Sequence, residues 1–283
     1  MSQIKNKEQY FINQFTKSKY IGDDGAVVGK YVYSMDAFFE NVHFKTSWMS
    51  LKHIAQKAML INISDAIVMN AKPKYALLSV AIPSHYGKNE LDELAEGFNS
   101  IAKKFGIEII GGDTISNVKL DISVTIISTT KKPVLRTGTK EDDLVCYTGE
   151  LGSVKKDLDL LLDGKKVSKK SKFIKPKLHP KFFYEISPYI NSAMDISDGL
   201  FFELERLSKS NDIGFEFFTN ISKSIGCSGE EYEVLFTFDK KYINKINKIA
   251  KKHNRALNIF AKATKGEFKC ECKNHHFKTK EEK

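Results

Sequence analysis

Short β-rich runs alternate with longer runs of helical spacing along the chain, and Lys131-Lys132-Pro133 breaks the alternation near its middle. A chain patterned this way folds into mixed layers of sheet and helix rather than into a pure bundle or sandwich. The expected fold is therefore α+β with two domains, residues 1–133 and 134–283. A length of 283 residues is enough for two separate cores.

In the first half, residues up to Lys19 read as a short amphipathic helix with Tyr10, Phe11 and Phe15 as its apolar face. Tyr31–Ser34 reads as a strand bracketed by two acidic turns, Asp23-Asp24-Gly25 and Ser34-Met35-Asp36. Ser50 is placed to cap a helix over 51–70, in which Asn62 and Asp65 share one face three residues apart. A strand over 75–82, a helix over 89–105 and a strand over 107–110 follow, the last running into Gly111-Gly112-Asp113-Thr114. A strand over 120–129 closes this half. Past the joint, strands are expected at 143–148, 214–218, 233–238 and 257–261, and helices at 152–162, 180–190, 198–210 and 240–253. Residues 163–177 are rich in lysine and read as a mobile surface loop.

The net charge of +10 invites a nucleic-acid partner, but Arg136, Arg206 and Arg255 are the only arginines. Nucleic-acid readers depend on arginine forks, so neither nucleic acid nor membrane is expected as a partner. No apolar run reaches the ~20 residues of a membrane span. The opening MSQIKNKEQYF lacks the apolar centre of a signal peptide, so the expected compartment is the cytoplasm. Cys146, Cys227, Cys270 and Cys272 are too few and too uneven for a disulfide framework, and the tail cysteines are expected reduced. The segment CECKNHHF offers four potential zinc ligands, yet it crowds them where zinc sites usually split them into pairs.

The chemistry-bearing residues are aspartates beside small polar residues: Asp23-Asp24, Ser34-x-Asp36, Asp65, Gly111-Gly112-Asp113 and Asp195-x-Ser197-Asp198. Taken singly, each is ordinary turn composition. Gathered by a fold, they form an all-oxygen site of the kind that holds Mg²⁺ together with phosphate. No Walker A motif and no protein-kinase signature is present. His43, seven residues after Asp36, is a further candidate.

These segments, in order from about Ile21 to Phe238, resemble the thiamine-monophosphate kinase family of the aminoimidazole-ribonucleotide synthetase superfamily. IGDDGAVV resembles the family's GDDAA, YSMDAFFENVHF its STDxLvExvHF, and KAMLINISDAIVMNAKPKYALLSVAIP its long NlSD segment. IGGDT matches, RTGTKEDDLVCYTGELG resembles RsGAkpGDxiyvTGxLG, AMDISDGLFFEL resembles AiDiSDGLxxDL, and CSGEEYEVLFTF resembles SGGEDYELLFTv. The resemblance implies a two-domain fold whose N-terminal sheet dimerises, and transfer of a phosphoryl group from ATP to thiamine phosphate. It implies metal ligation, with several Mg²⁺ ions, by Asp24, Ser34, Met35, Asp36, Asp65, Asp113, Asp195 and Asp198. Met35 stands where the family often has Thr and can offer only its carbonyl.

Gly112, Asp113, Arg136 and Ser197 are implied at ATP, and His43 and Glu230 at the thiamine phosphate. No protein nucleophile is expected, because a phosphate oxygen near neutral pH is already ionised. The tail reads KNHHF where the family carries an aromatic against the thiamine rings. Rivals within the superfamily are a selenophosphate synthetase, which would show a reactive Cys near its start, and a hydrogenase-maturation factor, which would end in Cys. A third alternative is a non-catalytic ATP-binding regulator.

Overall fold

The computed structural model describes residues 7–15 and 18–273. Its elements, in chain order, begin with α1 (Lys7–Ile12), β1 (Ala26–Val28), β2 (Tyr31–Phe39), α2 (Leu51–Val68) and β3 (Lys72–Pro83). Then come α3 (Lys88–Phe105), β4 (Glu108–Asn117), β5 (Asp121–Thr129), β6 (Leu144–Thr148) and α4 (Ser153–Leu162). The remainder are α5 (Pro180–Ile186), β7 (Ser192–Asp195), α6 (Leu200–Asn211), β8 (Gly214–Phe217), α7 (Lys223–Gly226), β9 (Val234–Phe238), α8 (Ile243–Lys252) and β10 (Leu257–Thr264). Short 3₁₀ turns follow α1 and α5 and precede α8.

The strands form two five-stranded sheets, ordered β1-β2-β5-β3-β4 and β7-β9-β6-β10-β8. The first is antiparallel except for its β3–β4 edge pair, which runs parallel. The fold is α+β.

Helix α2 organises both halves. Every residue from Ile54 to Val68 is buried, the pattern of a helix wrapped on all sides. It packs on β2, β3 and β5, on α3, and on β7 and α5 of the second half. Ser50 caps it, its hydroxyl accepting from the His53 N–H at 3.4 Å. Gly97 of α3 permits the close crossing: a Cβ there would fall 2.5 Å from the Lys52 carbonyl oxygen.

Several expectations change. The helix that was to reach Lys19 ends at Ile12 and continues only as a 3₁₀ turn, Asn13–Phe15. Its side chains Tyr10, Phe11 and Phe15 are more than half exposed in the protomer. Ser34-Met35-Asp36 is the middle of β2, not a turn, because β5 pairs with β2 along its whole length. Gly111–Thr114 likewise lies inside β4, held by β3.

Residues 163–177 contain no helix or strand, but the segment is anchored: Phe173 and Ile174 are buried in the core, and the Lys172 ammonium bonds Glu231 at 2.8 Å and Glu233 at 3.3 Å. The expectation of reduced tail cysteines is also overturned, since Cys227 and Cys272 form a disulfide. Cys146 and Cys270 are free thiols. The KNHHF stretch, apart from Lys273, lies outside the described residues, as do the histidines of the zinc reading.

Candidate active site

The site forms where α2 meets the loop before β1, the middle of β2 and the end of β7. Three carboxylates arrive from three elements: Asp24 from the loop, Asp65 from the last turn of α2, and Asp195 from the C-terminal end of β7. One oxygen of each lies within 4.8 Å of the others. Among the described residues, Asp24 Oδ2 and Asp195 Oδ2 are buried with no hydrogen-bond partner. Burial pushes the Asp65 carboxyl well above the usual range, and the charges of Asp36, Asp195 and Asp24 add to that. Burial and then Asp24 do the same to Asp195, against a hydrogen bond from Ser64. Three crowded carboxylates with orphaned oxygens are what a hard divalent cation would relieve.

Asn62 ties β2 to α2. Its Oδ1 accepts the Asp36 N–H at 2.7 Å, and its carbonyl accepts from the Ser34 hydroxyl at 3.1 Å. The Asp36 side chain therefore sits on the α2 face of the sheet, while the Met35 side chain points to solvent at 65% exposure.

Asp113 is on the other side. In register it continues the row Ala37–Ser123–Ser79, which faces away from α2, whereas Asp36 belongs to the row Val124–Leu78–Gly112. Three strand spacings also separate them, about 14 Å. Within one protomer Asp113 does not join the trio. It is exposed, and its carboxylate accepts the Thr114 N–H at 2.9 Å. Gly112 is irreplaceable in shape: it has φ +147°, and a Cβ would fall 1.7 Å from the Leu78 carbonyl oxygen.

Arg136 comes from the segment after the chain joint. Its guanidinium pairs with Asp24, and its N–H donates to Asp23 at 2.6 Å. Burial pulls this cation down, but Asp24 and Glu203 outweigh it and hold Arg136 charged. Asp198 binds Arg206 at 2.5 Å, and its N–H donates to the fully buried Glu203 at 3.0 Å. Ser197, half-buried, accepts the Glu230 N–H on its carbonyl at 2.5 Å. His43 accepts the Phe39 N–H on Nδ1 at 3.0 Å and lies against the Phe38 ring. Glu230 pairs with Lys57 at 2.9 Å.

Lys57, Ser64, Glu203 and Arg206 were missed as site residues in the sequence. Glu203 did carry a signal, since it stands at the acidic position of the family's DGLxxDL segment. Lys57 offered less, being one of two lysines in α2.

Comparison with known proteins defines the class first. Residues 22–130, which carry the first sheet and α2, match the family described as AIR synthase related protein, N-terminal domain. The thiamine-monophosphate kinase of Nitrosopumilus maritimus is 32% identical over 222 residues, covering 72% of each chain. That of Buchnera aphidicola is 32% identical over 285 residues, covering 88% of this chain and 84% of the other. That of Bacillus subtilis is 35% identical over 213 residues, covering 69% of this chain and 66% of the other. The solved AaThiL complexed with AMPPCP and TMP superposes with a TM-score of 0.86 at 25% identity, over 98% of this chain and all of the other. The chain belongs to the thiamine-monophosphate kinase family, whose members are ATP-dependent kinases.

Proposed function

We propose that this protein transfers the terminal phosphoryl group of ATP to the phosphate of thiamine monophosphate, giving ADP and thiamine diphosphate. The observation that carries the reading is the Asp24–Asp65–Asp195 trio with its orphaned oxygens, in a backbone that superposes along nearly its full length on AaThiL complexed with AMPPCP and TMP.

Asp24, Asp36, Asp65 and Asp195 are the residues assigned to Mg²⁺, with Ser34 and the Met35 carbonyl beside them and Asp198 at a further ion. When bound, Mg²⁺ supplies charge neutralisation between two polyanions. Arg136 and Ser197 are assigned to the nucleotide, and His43 and Glu230 to the acceptor. The protein's part is to hold donor and acceptor in line and to exclude water. The acceptor oxygen is ionised near neutral pH, so transfer is direct and no side chain is phosphorylated.

Asp113 and Gly112 complete the assignment through a second copy. The sheet face bearing Asp113 also exposes Tyr33, Met35 and Ile115, an apolar surface suited to self-association. We therefore assign a homodimer joined through the first sheet, in which Asp113 reaches the nucleotide of its own or the partner protomer. The lobes meet at the 133/134 joint, and the enzyme acts in the cytoplasm. Among the described residues no helix is long and apolar enough to cross a membrane.

The test is turnover of purified protein with ATP, Mg²⁺ and thiamine monophosphate, with the product identified by mass. Formation of thiamine diphosphate with one ADP each is the expected result. ADP formation with a different acceptor only would overturn the assignment of substrate and leave the kinase class standing.

A further inference from the structure

Lys57 is a lysine with no exposed surface, in the middle of an apolar helix. Removing an ammonium from water costs several kcal/mol unless its surroundings return that energy. Here three groups do so. Glu230 Oε2 lies 2.9 Å from Nζ, the Phe173 ring centroid is 4.2 Å away, and the Phe38 centroid is 5.5 Å away. As a pure stability device this is a poor one, because an apolar residue of equal volume would serve α2 as well or better.

What Lys57 touches gives it another use. Phe38 packs against the His43 ring with centroids 5.7 Å apart. Glu230 bonds the Lys57 ammonium directly. The two residues assigned to the acceptor, far apart in sequence, are thus joined through a continuous line His43–Phe38–Lys57–Glu230. Glu230 also needs holding. It adopts φ 55°, and Tyr232 two residues on adopts φ 48°, a region costly for residues other than glycine. Backbone bonds clamp that loop to the segment after β7: Glu230 N–H to the Ser197 carbonyl at 2.5 Å, and Tyr232 N–H to the Ile196 carbonyl at 2.9 Å. These bonds fix the backbone of Glu230, and Lys57 fixes its carboxylate. Among the described residues, Glu230 Oε1 has no protein partner and is left for a ligand.

We infer that Lys57 is a positioning residue for the acceptor: it holds the Glu230 carboxylate, and through Phe38 the His43 wall, in the geometry that receives thiamine phosphate. This rests on the function proposed above. Among the described residues the ion pair and ring contacts of Lys57 run to Glu230, Phe38 and Phe173, so its effect is expected on the acceptor.

Steady-state kinetics of Lys57→Met, Lys57→Arg, Glu230→Gln and the Lys57→Met/Glu230→Gln double variant test it. Lys57→Met is expected to raise KM for thiamine monophosphate about tenfold or more, as misplacement of a binding group does, while KM for ATP stays within about twofold. The double variant should match Glu230→Gln, because Lys57 acts through that carboxylate. Lys57→Arg should recover part of the loss. If Lys57→Met loses its cooperative melt, Lys57→Gln takes its place. An unchanged acceptor KM, an equal rise in both KM values, or additive effects in the double variant would each overturn the inference. A wild-type protein that makes no thiamine diphosphate would instead defeat the functional reading on which it stands.

Discussion

Arg136 and Asp24 form an ion pair that joins the two halves of the chain, with the Asp24 side chain only 3% exposed. The backbone of Arg136 is held from both halves: its N–H donates to Asp23 at 2.6 Å and its carbonyl accepts from Asn211 Nδ2 at 2.9 Å. Its guanidinium is held by the first half. Its positive charge also acts on Asp65, against burial and the neighbouring carboxylates.

Arg136→Gln should therefore destabilise the metal-free protein by about 3 kcal/mol, the scale for stranding one member of a buried pair. Mg²⁺ should raise the melting temperature of the variant more than that of the wild type. Equal melting temperatures without metal would refute the pairing, and Arg136→Lys should rescue only in part.

The trio sets a pH dependence. Asp65 and Asp195 have folded-state values raised above the usual 3.8. The folded protein holds their protons at a pH where the unfolded chain has released them. Stability from this source is thus greatest below about pH 4 and falls as pH rises toward the raised values. His179 works the other way. Burial and then the Arg255 cation lower it to about 4, so its stabilisation is complete above the usual 6.5 and is lost as pH falls toward 4. The clean measurement is the difference in melting temperature between wild type and Asp195→Asn. The wild type should lose ground as pH rises above the usual carboxylate range, and millimolar Mg²⁺ should reverse the trend. A difference that does not vary with pH would count against the raised values.

Gly112→Ala should cost about 3 kcal/mol or more, since backbone cannot yield to a Cβ 1.7 Å away. Hydrogen exchange should show the loss concentrated in β3 and β4. A soluble, fully stable Ala variant would mean that this edge of the sheet is paired differently.

The Cys227–Cys272 disulfide spans 45 residues. Its removal by Cys227→Ser should lower stability by about 4 kcal/mol in the loop-entropy account, and dithiothreitol should act similarly on the wild type. Thiol titration of unreduced, denatured protein should find Cys146 and Cys270 alone. Four reactive thiols would show that the bond does not form.

The alternation of strand and helix was readable because each element buries one face, and period follows from that. Reading failed where tertiary pairing overrode local composition. Ser34-Met35-Asp36 has the composition of a turn, but β5 draws it into a strand. Residues 163–177 look solvated because lysines dominate, yet Phe173 decides where the segment goes, into contact with Trp48 and Lys57. Asp24, Asp65 and Asp195 were legible as candidates. Their convergence was implied only by the family resemblance, since no local signal links a loop, a helix end and a strand end. The bond between Cys227 and Cys272 was not legible, because spacing alone does not show which sulfurs meet.

Helix α2 bears on how the protein can be divided. Ser64, Ile67 and Val68 share a small cavity with Thr148, Phe182 and Tyr232 of the second half, so one flank of the helix faces residues beyond the joint. A fragment cut at residue 133 would carry the helix with that flank wet, and the complementary fragment would lack the helix that β7 and α5 pack on. Co-expressed fragments should assemble into one soluble body, whereas each alone should precipitate.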